Sequence, residues 1–303
     1  DSKYVVASLE KGNKTKNIFA DNLYKDIIDN SSNNSTVFNA VLQNLVDQKF
    51  PVNDDMKEDA ATIIKQIKSA YKSNYGDNYK DSLNQALTSA GYKNLSEYRQ
   101  KMIKQIQYAN FLLDYIDDHF DDVFNDYYQQ CAPKYVSLIK ISVSDTSSPT
   151  DDETSKLNEV KELISNTDKS FGDIAQDYSN DSTSSKKGSL GIVDSKDTSG
   201  IANSYGKDVF NAIEALSEGQ VSDAIAGTDG YYFVKVTSTN KKDLKKELKK
   251  TDIDSPLLAY DDYLQYVVYD SYKVTYKDKS IKKIVQDVVK NALNERKSGR
   301  GEA

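Results

Sequence analysis

Phe171–Gly191 reads FGDIAQDYSNDSTSSKKGSLG. Phe171, Ile174, Ala175 and Tyr178 recur at helical spacing and make one apolar face of a short amphipathic helix. A polar Ser/Asn/Asp loop follows. It ends in the pair Lys186-Lys187, then Gly188, Ser189, Leu190 and Gly191. This reads as helix, loop and the entry to a short strand, Gly191-Ile192-Val193.

The surroundings extend that unit in both directions. Upstream, Tyr135–Val143 (YVSLIKISV) is β-prone, a Ser/Thr/Asp/Pro loop covers Ser144–Thr154, and Leu157, Val160, Leu163 and Ile164 mark a helix. Downstream, Val209–Leu216 is helical, Glu218-Gly219-Gln220 is a turn, and Tyr231–Thr237 (YYFVKVT) is a strand dense in aromatic and β-branched residues. The order β-α-α-β-α-β predicts a small α+β domain over residues 134–239.

Both flanks have helical texture. Residues 4–9 (YVVASL) are β-prone and run into the turn Lys11-Gly12-Asn13. Val37, Val41 and Leu45, with Phe38, Leu42 and Val46 beside them, then form a stripe that Pro51 ends. Asn53 caps a second helix through Met56, Ala60, Ile63, Ile64, Ile67 and Tyr71, which Gly76 breaks. Leu83 and Leu87 mark a third, closed by Gly91. Asn94 and Glu97 form a capping box for a long helix from Leu95 to Phe120. Beyond residue 240, Lys241–Lys250 is a solvated charge run, Leu257–Val268 a stripe, Tyr272–Tyr276 an alternating strand, Ile281–Val289 a last helix and Asn294–Ala303 a frayed tail. The expected organisation is a helical domain, 1–133 plus 240–303, split by the α+β unit at 134–239.

Composition narrows the chemistry. The 303 residues carry 40 Lys+Arg and 47 Asp+Glu, intermixed, with net charge −7, and no face is basic enough to read as a nucleic-acid surface. One cysteine, Cys131, and one histidine, His119, leave no disulfide and too few soft ligands for zinc, so neither metal nor cofactor is expected. Asp114, Asp117, Asp118, Asp121 and Asp122 read as a solvated acidic face rather than a cation site. No apolar run reaches the ~18 residues of a membrane span. No signal peptide is read at Asp1, which begins among charged and polar residues, so the chain is expected to be either cytosolic or cut free of a leader, and composition does not choose between the two.

These motifs together resemble the parvulin-type prolyl isomerases. Ser137-Leu138-Ile139-Lys140-Ile141 stands where that family has Ser-His-Ile-Leu-Val, and Phe171, Ala175, Tyr178, Ser179 and Asp181 match its helix and loop. Gly188-Ser189-Leu190-Gly191 shortens its Gly-Gly-Asp-Leu-Gly. Ala215, Leu216, Gly219, Val221 and Ser222 meet a fourth motif, and Gly230–Val236 meets the closing strand. The flanks are similar to those of PrsA-type foldases, in Tyr75-Gly76, Gly91, Tyr98, Lys273-Val274 and Lys277-Asp278.

The resemblance implies a fold, partners and a site. The fold is a small antiparallel-sheet parvulin domain inserted in an α-helical chaperone domain. The partners are unfolded or newly exported polypeptides with Xaa-Pro bonds, and a homodimer is left open. The chain would act outside the cell membrane of a Gram-positive bacterium, held by a lipid-bearing cysteine upstream of Asp1. Cys131 is too deep in the chain to be that anchor.

The site carried over has Asp181 and Tyr232 as catalytic residues and Leu138, Ser189, Leu190, Tyr205, Val209 and Phe210 in contact with substrate. Leu138 and Tyr232 replace the two family histidines, and Ser189 replaces an acidic residue. Two alternatives follow from those replacements and from composition: a non-catalytic holdase that binds proline-containing segments, and a cytosolic helical interaction protein.

Overall fold

The computed structural model describes residues 4–11, 14–227, 229–249 and 252–302. Strands β1 (Val5–Lys11) and β2 (Lys14–Phe19) lead into helices α1 (Ala20–Asp29), α2 (Asn34–Lys49), α3 (Asp54–Tyr75), α4 (Tyr79–Ser89), α5 (Leu95–Asp118) and α6 (Phe120–Cys131). Then come β3 (Lys134–Ser142), α7 (Asp151–Asn166), α8 (Phe171–Tyr178), β4 (Ser189–Val193), α9 (Ile201–Tyr205), α10 (Lys207–Ala215), β5 (Ile225–Ala226) and β6 (Gly230–Ser238). Helices α11 (Lys241–Leu248), α12 (Leu264–Ser271) and α13 (Lys279–Gly299) complete the α+β chain.

Two compact units result: Asp1–Tyr115 with Asp262–Ala303, and Ile116–Asp261. The inserted unit is wider than the stretch 134–239 marked by composition. Side-chain contacts account for the difference. The fully buried Tyr127 of α6 donates its hydroxyl to Asp194 at 2.8 Å, Tyr128 donates to the Thr239 carbonyl, and Leu244 of α11 is fully buried. The two ends of the unit also meet. Tyr260 donates to Asp126 at 2.7 Å, and its ring lies edge-on to Tyr127 at 5.4 Å. Composition is blind to this boundary because the texture is helical on both sides of it.

The helical unit follows its local signals. Asn53 accepts from the Met56 amide as the cap of α3, and Gly76 ends that helix at φ 55°. Gly91, at φ 86°, turns the chain after α4. Asn94 accepts from the Glu97 amide, while Glu97 reaches one residue further back to the Lys93 amide. On α2 the inner row is Phe38, Leu42 and Val46, with Phe38 stacked on Tyr266 at 5.0 Å.

Three expectations for this part of the chain are corrected, and two elements in it carry no assignment from the sequence. Lys14–Phe19 is a strand and Ala20–Asp29 a helix; among their described side chains no large one is buried, so the core periodicity that signals an element is missing. The helix expected to reach Phe120 breaks at His119. Tyr272–Tyr276 alternates without a partner strand and is irregular; Tyr272 instead stacks on Phe111 at 5.7 Å. Asn294–Gly299 is helical, continuing past the buried Ala292. Gly12, Asn13 and Lys250, parts of the expected turn and charge run, lie outside the described residues.

The inserted unit is an antiparallel four-stranded sheet in the order β4-β3-β6-β5. Alternation along β3 and β6 sends Val136, Leu138, Tyr232 and Val234 to the face covered by Val209 and Ile213 of α10. It sends Ile139, Ile141 and Phe233 to the face covered by Leu157 and Val160 of α7 and Phe171 and Ile174 of α8. Burial on both faces is why YVSLIKISV reads as a nearly continuous apolar run.

One polar feature of this unit sits at the end of α10. The Lys134 ammonium donates to the carbonyls of Ile213, Glu214 and Leu216 at 3.0, 2.7 and 3.0 Å, closing the helix C-terminus. Beside it, Glu214 Oε1 is buried without a hydrogen bond. Burial pushes the Glu214 carboxyl above its usual range, the Lys134 charge opposes that, and Asp194 and Asp197 add to it. A carboxyl raised on folding holds its proton better in the folded chain, so its contribution to stability is complete below the unfolded pKa, about 4.3. That contribution is lost as pH rises through the folded value. Glu214→Gln is therefore expected to raise the urea midpoint at pH 7 and to flatten its decline above about pH 4.3. An unchanged slope of midpoint against pH refutes this.

Candidate active site

The loop after α8 is pinned to β3 by two hydrogen bonds to the Lys140 main chain. Ser170 caps α8 by accepting from the Asp173 amide, and Phe171, Ile174 and Ala175 seat the helix in the core. Ser179 Oγ then accepts from the Lys140 amide at 3.0 Å and from the Asp181 amide at 3.2 Å, and the Asn180 amide donates to the Lys140 carbonyl. Asp181 is thus set by its own amide, bonded to Ser179 Oγ, and by its carbonyl, which accepts from the Ser184 amide at 3.0 Å. Its Oδ1 accepts from the Thr183 amide at 2.9 Å and the Thr183 hydroxyl at 2.6 Å, an Asx-type turn. The same oxygen accepts a longer bond from the Tyr205 hydroxyl at 3.4 Å. No hydrogen bond among the described residues ends on Asp181 Oδ2.

The loop returns to the sheet at Gly188, whose φ is 75°. A Cβ there would stand 2.4 Å from the Leu138 carbonyl oxygen and 2.9 Å from the Ala175 Cβ. The position needs glycine on both counts, conformation and space.

Asp181, Tyr205, Val209 and Tyr232 line one open cleft of about 510 Å3. The rings of Tyr205 and Tyr232 meet edge to face at 6.0 Å and 78°. Tyr232 donates its hydroxyl to Asp229 Oδ1 at 2.7 Å, and Lys140 forms an ion pair with Asp229 Oδ2. The same ammonium lies 5.8 Å from the Tyr232 ring centroid. Gly227 leaves room for that ring: a Cβ there would be 2.5 Å from Tyr232 Cε2.

The electrostatics follow from these contacts. Lys140, then Tyr232, holds the Asp229 carboxyl below its ordinary range. Burial, then the bond to Asp229, pushes the Tyr232 phenol well up. Burial, then Asp181, raises the Tyr205 phenol. Both phenols stay protonated, and both donate to carboxylates.

The remaining sequence-predicted residues lie elsewhere. Leu138 is fully buried in the core under the sheet, so its side chain cannot touch a ligand. Leu190 and Phe210 pack against the same core and do not line the cleft. Ser189 is exposed at the start of β4, its Oγ accepting from the Gly191 amide. Among the cleft residues that escaped sequence reading are Lys140 and Asp229, which join Tyr232 in its network. Lys140 had a signal: a lysine inside an apolar strand needs a partner if it is to be buried.

The family match falls on the stretch that builds this cleft. Residues 138–238 match the rotamase family described as the PPIC-type PPIASE domain. The chain is 32% identical over 146 residues to the foldase protein PrsA of Staphylococcus aureus, an alignment covering 45% of this chain and 42% of that protein. The chain thus spans less than half the length of the curated relatives it matches. It is also similar to the crystal structure of foldase protein PrsA from Streptococcus pneumoniae, with TM-score 0.42 and 20% identity over 93% of this chain and 99% of that one. For PrsA from Bacillus subtilis the TM-score is 0.39, with 21% identity over 94% and 99%.

Proposed function

We propose that this chain, whose residues 138–238 match the PPIC-type rotamase family and which is similar to the foldase protein PrsA, is a PrsA-type foldase in which the cleft of Asp181, Tyr205, Val209 and Tyr232 catalyses cis–trans isomerisation of Xaa-Pro bonds. The substrates are unfolded polypeptides on the outer side of a Gram-positive cell membrane, held by the helical unit while the bond turns. A lipid anchor upstream of Asp1 and a homodimer belong to this reading. No helix among the described residues is long and apolar enough to cross a membrane.

The observation that carries the reading is the convergence of a fixed carboxylate and two aromatic rings on one cleft. Rotation about a peptide bond faces a barrier of about 18–20 kcal/mol because resonance stiffens the C–N bond. The planar amide puts partial negative charge on its oxygen, and the twisted amide withdraws it. A carboxylate beside that oxygen raises the planar form more than the twisted one, which lowers the barrier without nucleophile or cofactor. Asp181 Oδ2 faces this task while Oδ1 holds the loop. Tyr205 and Val209 supply an apolar wall for the proline ring, and Tyr232 a floor.

Asp181→Asn keeps the Thr183 contacts and removes the charge. It is expected to lower kcat/KM for an Xaa-Pro peptide, measured by NMR exchange, by about tenfold, or about 1.4 kcal/mol, with KM nearly unchanged. A full rate in the variant would remove Asp181 from the mechanism.

A second reading, a holdase whose rotamase fold only binds, is favoured by two observations. Leu138 contributes no hydrogen-bonding group to the cleft, and the Tyr232 hydroxyl proton is committed to Asp229. Wild-type exchange no faster than the uncatalysed rate, with aggregation of an unfolded client still suppressed, selects this reading.

A further inference from the structure

The inserted unit does not use every concavity in the chain. In the helical unit, Ile67 and Tyr71 of α3, Leu83 and Leu87 of α4, and Leu95 and Tyr98 of α5 line an open pocket of about 270 Å3. Earlier on α3, Met56 and Ala60 are spent on the core with Ile103 and Ile106 of α5. Ile67 and Tyr71 continue that stripe, half-buried, to a site that nothing in the unit fills. Aromatic rings extend the rim: Tyr75 stacks on Tyr71 at 5.5 Å and is 53% exposed, and Tyr92 meets Tyr98 edge-on at 5.0 Å.

The turns that carry the pocket residues are locally basic, while the acidic residues of α3 and most of those of α5 stand at the far ends of those helices. Residues 60–109 contain eight Lys or Arg against three acidic residues, Asp77, Asp81 and Glu97, in a protein of net charge −7. Lys68 is three residues before Tyr71, Lys80 three before Leu83 and Lys101 three after Tyr98, so helical spacing sets each beside a pocket residue. Lys68, Lys72, Lys80 and Lys101 enter none of the ion pairs among the described residues.

We infer that the α3–α4–α5 face binds unfolded polypeptide segments in which one large apolar or aromatic side chain is flanked by Asp and Glu. This rests on the proposed role of the helical unit in holding unfolded chains, and it names the segments held. The pocket is smaller than the about 300–1,000 Å3 of ligand-sized sites, which suits one side chain rather than a cofactor. A concave pocket admits a side chain, whereas a bilayer would require apolar groups that protrude. The unpaired lysines supply attraction that acidic flanks complement and basic flanks oppose.

The test uses the full chain and three 12-residue probes: a central Phe among Asp and Glu, the same peptide with Lys flanks, and the acidic peptide with Ser for Phe. Calorimetry is expected to rank the acidic Phe peptide tighter than either control by about tenfold, about 1.4 kcal/mol. The margin should shrink in 0.5 M salt. Lys68→Glu with Lys72→Glu, both exposed, should abolish the preference. Ala86 of α4 also lines the pocket, and Ala86→Phe should fill it and weaken the acidic Phe peptide about tenfold, about 1.4 kcal/mol, with an unchanged thermal transition.

Equal binding of acidic and basic Phe peptides overturns the inference, as does indifference to the lysine pair. So does co-sedimentation with phosphatidylglycerol vesicles without peptide binding. A reduced, carboxymethylated client still held without acidic preference overturns this inference alone. Failure to hold any unfolded client overturns the chaperone reading as well.

Discussion

Gly188→Ala is expected to destabilise the Ile116–Asp261 unit by about 3 kcal/mol or more. Two terms add. A non-glycine residue in the left-handed region costs about 1–3 kcal/mol. The new methyl also has nowhere to go, lying 2.4 Å from the Leu138 carbonyl oxygen and 2.9 Å from the Ala175 Cβ. Relieving such overlap in a packed core typically costs about 1–3 kcal/mol more. Moving Gly188 away would also stretch the 2.8 Å bond from the Leu138 amide to its carbonyl. Native-state hydrogen exchange at the β3 amides in the full chain gives the number for this unit alone. Gly200→Ala is the control: φ is 70° there, with nothing within 4 Å of the added Cβ. It should show the conformational cost only, and equal losses in the two variants would discount the clash.

Asp194→Ala should cost a similar amount by a different route. Asp194 is fully buried and accepts from the Lys196 and Thr198 amides, the Thr198 hydroxyl and the Tyr127 hydroxyl. Hydrogen bonds to a charged acceptor contribute about 1.5–3 kcal/mol each, and a buried donor left unpaired costs about 1–3 kcal/mol. A loss of about 3–5 kcal/mol follows, since the two amides can rebond to water more easily than the enclosed phenol. Burial, then Asp194, already holds the Tyr127 phenol far above its ordinary range, so it cannot ionise instead. Tyr127→Phe in the Asp194→Ala background removes the orphaned donor and should recover part of the loss. Strict additivity of the two substitutions would show that the pair is not coupled.

Legibility in the sequence tracked how local the cause was. Asn53, Gly76, Gly91 and the Asn94–Glu97 pair act within a turn of where they stand, and each marks a helix end as it reads. The strands of the inserted unit are legible because both faces are buried, and family motifs pointed to the rotamase domain. Long-range pairings left no such trace. Tyr127 with Asp194 and Tyr260 with Asp126 widen the unit beyond its change in composition, and no periodicity encodes either bond. In the cleft, motif matching led to Asp181, Tyr205, Val209 and Tyr232. It also led to Leu138, whose position copies a functional residue's place while its apolar side chain turns that place into core. Asp229 escaped because it acts through Lys140, an alliance visible only once β3 and β6 lie side by side.

The meeting of the two ends of the inserted unit, through Tyr127, Tyr260 and Asp126, has a kinetic meaning. The helical unit is discontinuous: residues up to 115 must wait for those from 262 onward. Closing so long an unstructured loop carries an entropy cost that grows with the logarithm of its length. Once Ile116–Asp261 has folded, its ends are already stapled together, and the connection behaves as a short one. That unit is contiguous, so it can form first as the chain emerges. The inserted unit would then serve as an internal folding template for the helical one, and a substitution such as Gly188→Ala would delay a unit it does not belong to.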